Sequence, residues 1–340
     1  MSGNATQRYA NTAVLSVCGV DAPHVVTSVE LDERLAATYR RVGLRPGLLE
    51  NLAGITARRW WPRDVGFADA AAMAGAKALA EAGVDPARVG LLVDSSVSRA
   101  HLEPSAAVAV HHALGLPPMC MNFDVANACL GFLNGMQLAA MMIDAGRIEY
   151  ALVVDGEGAR EVQENTLERL AHPDATRDDV LSQFATLTLG SGAAAMVLGR
   201  ADEHPEGHRL IGSVLRAATE HHGLCIGDMN GMSTDTKALL DAGMAISDAM
   251  WTDARATFDW AQMDRYVAHQ VSQVHTAAMC RTLGIDSDRV PRSFPLRGNM
   301  GPASIPFTLA TQVDSLQPGD RVLLLGVGSG LNGCCTELEW

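Results

Sequence analysis

Short apolar runs recur along the chain at residues 89–93, 151–154, 193–198, 265–268 and 322–325. Bounded by polar or turn residues, runs of this length read as buried strands. Between them the apolar spacing lengthens to a helical period. It predicts helices over 68–82, closed by Gly83, over 130–145, closed by Gly146, and over 234–258, with 253–260 as a separate turn. A glycine just past the last periodic residue is a helix stop. Strands alternating with helices imply a mostly parallel sheet covered by helical layers, an α/β fold.

The pattern also repeats. In the first half a strand (89–93) leads to a helix (105–114), a strand (121–125), a turn at Ala126-Asn127-Ala128-Cys129, a helix and the strand 151–154. In the second half a strand (266–268) leads to a helix (274–283) and a short extended piece (290–294). A turn at Arg297-Gly298-Asn299-Met300, a helix (304–313) and the strand 322–325 follow. Cys129 and Asn299 fall in equivalent turns, and Ser95 or Ser96 corresponds roughly to His269. Two similar units packed into one body bring equivalent turns to a shared face. The halves are taken as 1–190 and 191–340. A charged, helical-looking insertion at 156–187 interrupts the first, and an insertion at a strand end covers a site or builds an interface.

Composition narrows the function classes. With 48% apolar and 19% charged residues over 340 positions, the chain is globular. Fifteen Met and 32 Gly against 5% aromatics suit adaptable pockets for aliphatic groups, and equally a plain α/β core. A net charge of −13 argues against nucleic acid as partner. Seven scattered cysteines without a CxxC pair suggest neither a disulfide framework nor a zinc ribbon, and fit a reducing cytoplasm. The polar start carries no signal core, and no run approaches a membrane span. The adjacent pairs His111-His112 and His221-His222 do not share a helix face, so no metal is expected.

Cys129 follows a strand, sits among small residues and opens a helix. Backbone N–H groups and the helix dipole there favour thiolate over thiol. A buried packing cysteine fits the position alone as well. The other six cysteines read as packing residues. His269 ends a strand, where open α/β sheets place their sites, and can donate to a developing oxyanion. His275, six residues on, is expected to point elsewhere. Asn299 can supply a second donor amide. The glycine run 326–330 resembles a phosphate loop, but no helix follows it before Trp340, so it suits the lining of a reactive sulfur better.

Three segments carry a resemblance: residues 122–132 around Cys129, Ala268-His269-Gln270-Val271-Ser272, and Gly298-Asn299-Met300-Gly301-Pro302-Ala303-Ser304. They resemble the Cys-His-Asn motifs of the β-ketoacyl-ACP synthase III family of the thiolase superfamily. The stretch Leu102-Glu103-Pro104-Ser105 and the tail 328–332 are similar to its olefin-biosynthesis branch, the acyl-CoA condensing thiolases. The resemblance implies a thiolase fold with two similar halves in a five-layered αβαβα body. It implies Cys129 as acyl acceptor, with His269 and Asn299 stabilising an enolate. The backbone N–H groups of Cys129 and Ser329 form the oxyanion hole. Glu103 reaches the partner protomer of a homodimer as base, because an α-proton of a thioester needs a positioned base where no CO2 is lost. The substrates implied are long-chain acyl-CoA thioesters, with no tightly bound cofactor. The product is a 2-alkyl-3-ketoacid, released from Cys129 by water as the first step of long-chain olefin biosynthesis, with downstream pathway enzymes as partners. The synthase pattern usually places an Arg after its His-Gln. Its absence from Val271-Ser272-Gln273-Val274-His275 favours CoA esters over a carrier protein. Arg58, Arg59 and Trp60 are candidates for the CoA entrance, through phosphate pairing and stacking. A decarboxylating synthase III, an acyltransferase to an alcohol or amine, and a non-catalytic partner subunit remain as alternatives.

Overall fold

The computed structural model describes residues 6–340. Its strands are β1 (Thr6–Arg8), β2 (Thr12–Asp21), β3 (His24–Thr27), β4 (Ala57–Trp60), β5 (Val89–Asp94), β6 (Met121–Asp124) and β7 (Tyr150–Glu157). They continue with β8 (Gly192–Arg200), β9 (His208–Ala217), β10 (Cys225–Asp228), β11 (Gly231–Thr234), β12 (Arg265–Ala268), β13 (Arg321–Gly328) and β14 (Asn332–Glu339). The main sheet runs β12-β13-β14-β9-β2-β8-β7-β5-β6, with β1 alongside β9. β2 meets β9 only at Ala13–Arg209 and Val14–His208, so the sheet is two arrays joined at a narrow seam.

The arrays share one topology. In the first, β7 lies parallel to β5 and antiparallel to β8, which pairs with β2. In the second, β13 lies parallel to β12 and antiparallel to β14, which pairs with β9. β6, parallel to β5, has no counterpart. The extended piece expected at 290–294 is not a strand. Phe294–Arg297 is a helical turn, and Pro291 and Pro295 remove the backbone donors a ladder would need.

Helices cover both arrays. Between them lie Gly131–Asp144 and Ser304–Ala310, whose Phe132, Leu133, Ile305 and Leu309 pack with Val153, Val267 and Leu324. Outside the first array, helix Phe67–Ala82 lays Ala70, Ala71, Ala74 and Ala78 against Leu152, Val154 and Val197. Small side chains let that helix approach closely, and Gly83 ends it in the left-handed conformation. Outside the second array, helices Thr236–Ala254 and Gln273–Leu283 pack Met250, Trp251, Met279 and Leu283 onto Tyr266 and Leu323. The layers are therefore αβαβα, the thiolase arrangement. Helix Thr236–Ala254 stops four residues before its expected end. No helix among the described residues is long and apolar enough to cross a membrane.

The insertion folds into helices Arg160–Ala171, Arg177–Ser182 and Phe184–Leu187. Its Leu167, Leu170, Val180 and Leu187 pack on Leu31, Leu35 and Tyr39 of helix Ser28–Val42. That seating delivers residues 185–189 to the site.

Candidate active site

The turn after β6 is built from close approaches. Ala128 takes φ 44°, a left-handed conformation uncommon for a residue with a Cβ. Leu130 N donates to Asn127 O (3.0 Å) and Gly131 N to Ala128 O (3.2 Å), tightening the chain into the helix. A Cβ on Gly131 would lie 2.8 Å from Ser95 O and 2.9 Å from Val125 O, so only glycine fits. The Asn127 side chain holds the turn from both sides. Its Nδ2 donates to Asn134 Oδ1 (2.7 Å), and its Oδ1 accepts from Asn332 Nδ2 (3.0 Å).

The second array supplies matching pieces. His269 N donates to Leu325 O (2.8 Å) one residue past β12. Ser95 N donates to Val154 O (2.9 Å) one residue past β5. Ser95, rather than Ser96, is thus the counterpart of His269. Asn299 is anchored to the insertion: its N donates to Thr188 O (2.9 Å) and its O accepts from Gly190 N (2.8 Å). Gly298 turns this corner at φ 70°, with Thr188 O 2.8 Å from where a Cβ would be. Asn299 Oδ1 accepts from Gly301 N (2.9 Å), which fixes the amide so that its NH2 is left to donate elsewhere.

Cys129, His269, Asn299 and Ser329 line one cavity of about 160 Å3, floored by apolar side chains including Met244, Met279 and Leu283. A larger outer cavity of about 740 Å3 adjoins it, with Asp178, Asp235 and Lys237 among its lining residues. Burial pushes the Cys129 thiol up to about 12, with Cys225, Glu157 and Asp155 adding to the rise. That direction runs against the expectation of a resting thiolate: burial, the largest cause, favours the protonated thiol. Burial, with His275 second, lowers His269 to about 4, so its imidazole is neutral at physiological pH. His269 Nδ1 is buried without a partner.

Two buried carboxylates went unnoticed in the sequence. Glu157 accepts from Val97 N (2.6 Å) and Ser98 Oγ (2.6 Å), and Asp155 accepts from Ser95 Oγ (2.5 Å). Burial raises both, with the charge of Glu157 adding to the rise at Asp155 and that of Asp94 to the rise at Glu157. Their one local signal is a pair of acids closing the apolar run 150–154.

Other expectations need correction. Arg58 is fully buried, its guanidinium donating to Ser28 Oγ (3.1 Å). Trp60 Nε1 donates to Gln163 Oε1 (2.6 Å), and Arg59 sits 3.9 Å from Asp21. All three lie in β4, tied into the fold by these contacts, and none lines either cavity. His275 does not point away: it lines both cavities. Nor are all the other cysteines mere packing, since Cys225 and Cys335 line the inner cavity. Glu103 is exposed on the loop after β5 and lines neither cavity of its own chain.

Comparison with known proteins agrees with this construction. Residues 123–219 match the model of 3-oxoacyl-[acyl-carrier-protein] synthase III, and residues 254–340 match that of its C-terminal part. The chain is 46% identical to an acyl-CoA:acyl-CoA alkyltransferase of Xanthomonas campestris, over 98% of this chain and 99% of that one. It is 35% identical to the Shewanella oneidensis protein of the same description, over 98% and 100%. The cerulenin-bound structure of Xanthomonas campestris OleA superposes with a TM-score of 0.96 at 45% identity, covering 98% of each chain. A cysteine-to-serine variant of that OleA with bound lauric acid and lauroyl-CoA gives 0.96 at 45%, over 98% and 100%. Histidine and glutamate variants of it have also been solved. This chain is a thiolase-fold acyltransferase of the 3-oxoacyl-[acyl-carrier-protein] synthase III family, and within that family it belongs with the OleA-type acyl-CoA:acyl-CoA alkyltransferases.

Proposed function

We propose that this chain condenses two long-chain acyl-CoAs without decarboxylation, giving a 2-alkyl-3-ketoacid on the way to long-chain olefins. The observation that carries the reading is the meeting of Cys129, His269, Asn299 and Ser329 around one apolar cavity. Cys129 Sγ attacks the first thioester and CoA leaves as the thiol. The Cys129 proton needs a neutral acceptor, which the low-pKa imidazole of His269 supplies. The N–H groups of Cys129 and Ser329 face the carbonyl oxygen. Glu103 removes an α-proton from the second acyl-CoA, and His269 with the Asn299 amide stabilises the enolate. The enolate carbon then attacks the Cys129 thioester, and the bond to sulfur breaks. Balance of bonds leaves the remaining thioester on CoA, so water acts there rather than on Cys129, and a second CoA departs.

Glu103 acts from the partner of a homodimer. β6 ends the sheet with its outer edge unpaired among the described residues. Met119, just before β6, is 86% exposed and Leu102, in the loop after β5, is 92% exposed, apolar surface suited to a second copy. Arg99 pairs with Asp124 at the end of β6 (3.4 Å), tying the loop of Glu103 to that edge. The outer cavity is the entrance for CoA. Cytoplasmic acyl-CoA is the substrate pool, and the enzymes that consume the ketoacid are the downstream partners. The chain divides into its two halves just after Arg200 rather than at 190, because β8 pairs between β7 and β2.

Incubation of the purified chain with myristoyl-CoA alone tests the reaction. Two free CoA per product and a C27 ketone after decarboxylation, about one per two myristoyl groups, are expected from the chemistry of the step. Strict dependence on malonyl-ACP would overturn the reading.

A further inference from the structure

The inner and outer cavities meet at six residues that line both: Ala185, Thr188, Leu239, Leu240, Val271 and His275. Any ligand reaching from the outer mouth to Cys129 passes this neck. Only Thr188 and His275 bring polar side chains to it, and each has its hydrogen-bonding role fixed by its own neighbours.

His275 sits in the first turn of helix Gln273–Leu283, capped by Ser272. Ser272 Oγ accepts from His275 N (3.3 Å), and it also lies 2.8 Å from His275 Nδ1. The hydroxyl proton has no other acceptor among the described residues, so Ser272 Oγ donates it to Nδ1. Burial lowers the pKa of His275, so the ring is neutral. A neutral imidazole that accepts at Nδ1 carries its proton on Nε2. No acceptor for Nε2 occurs among the described residues. Thr188 is the converse case. Its hydroxyl donates to Ala185 O (2.6 Å), so Oγ1 offers only lone pairs to the neck. One fixed donor therefore faces the passage together with one fixed acceptor.

We infer that His275 and Thr188 together read a secondary amide in the arm of the acyl donor, His275 Nε2–H donating to its carbonyl and Thr188 Oγ1 accepting from its N–H. This rests on the acyl-CoA reading and deepens it. The pair makes the neck a specificity filter for amide-bearing thioesters, and His275 a specificity-determining residue rather than a second base. Ser272 sets the tautomer, and is a positioning residue for it.

Acylation of Cys129 in the full-length chain by myristoyl-CoA and by p-nitrophenyl myristate, which has no amide, tests the inference. His275→Ala is expected to lower the preference for the CoA ester over the p-nitrophenyl ester about five- to tenfold, the scale of one lost hydrogen bond. The change should appear in KM for myristoyl-CoA rather than in kcat. His275→Asn, which keeps a donor, should recover part of it, and Ser272→Ala should lose a smaller part. Equal losses with both esters, or an unchanged preference, overturn the inference while leaving the acyl-CoA reading in place. No adduct on Cys129 of the unaltered chain overturns both. If His275→Ala does not fold, His275→Asn and Ser272→Ala carry the same comparison.

Discussion

At the scale of single residues, the chemistry depends on two groups held away from their ordinary charge. Cys129 rests as a thiol and His269 as a neutral imidazole, because both lose water on burial and neither gains an opposite charge in return. The sulfur becomes nucleophilic only as its proton leaves. Alkylation of Cys129 by iodoacetamide, followed peptide by peptide, should therefore keep rising about tenfold per pH unit from pH 7 to 10. A solvated thiol would level off above about pH 8.5. Levelling at or below that point would mean that the helix end, not burial, sets the thiol. That Cys129, His269 and Asn299 meet at one cavity was legible from the sequence, because each sits in a short motif at a strand or turn end. The direction of the thiol shift was not, since burial and the nearby carboxylates of Asp155 and Glu157 exist only in three dimensions.

At the scale of elements, the site is a set of turns pressed against each other. Helix Gly131–Asp144 can start where it does because Gly131 lies against the carbonyls of Ser95 and Val125. Gly131→Ala puts a methyl group into that contact. It should lower stability by about 1–3 kcal/mol in denaturant unfolding, the usual cost of overpacking, and cut acylation of Cys129. Wild-type stability in this variant would show that the turn is not packed as described. Strands 89–93, 151–154, 193–198, 265–268 and 322–325 were readable because their apolar runs are unbroken. β9 and β14 were not, because polar residues interrupt them. Ser213 is bonded to Tyr9 and Thr336, and Glu337 accepts from Trp260 Nε1 (2.7 Å) and Arg321 Nε (2.8 Å). Partners so distant in the chain leave no local pattern. At 290–294 the repeat led to an extended piece; Val290 is extended, but no ladder forms beyond it, and Phe294 already opens a helical turn.

At the scale of the whole molecule, duplication is the organising fact. Two arrays of like topology meet across the inner helices, and Cys129 comes from one while His269 and Asn299 come from the other. The element-by-element repeat in the sequence was enough to anticipate that meeting. The neck between cavities was not anticipated, because it joins the insertion, helix Thr236–Ala254 and the start of helix Gln273–Leu283, three segments with no shared motif. In the proposed homodimer the Glu103 loop, tied by Arg99 and Asp124 to the unpaired edge of β6, is the segment that reaches the partner. Whether Cys129 takes the acyl group is settled most directly by mass spectrometry of the protein after brief exposure to myristoyl-CoA. One myristoyl group per chain, confined to the Cys129 peptide and absent from Cys129→Ala, is expected. An adduct on Cys225 or another cysteine, or none at all, contradicts the claim.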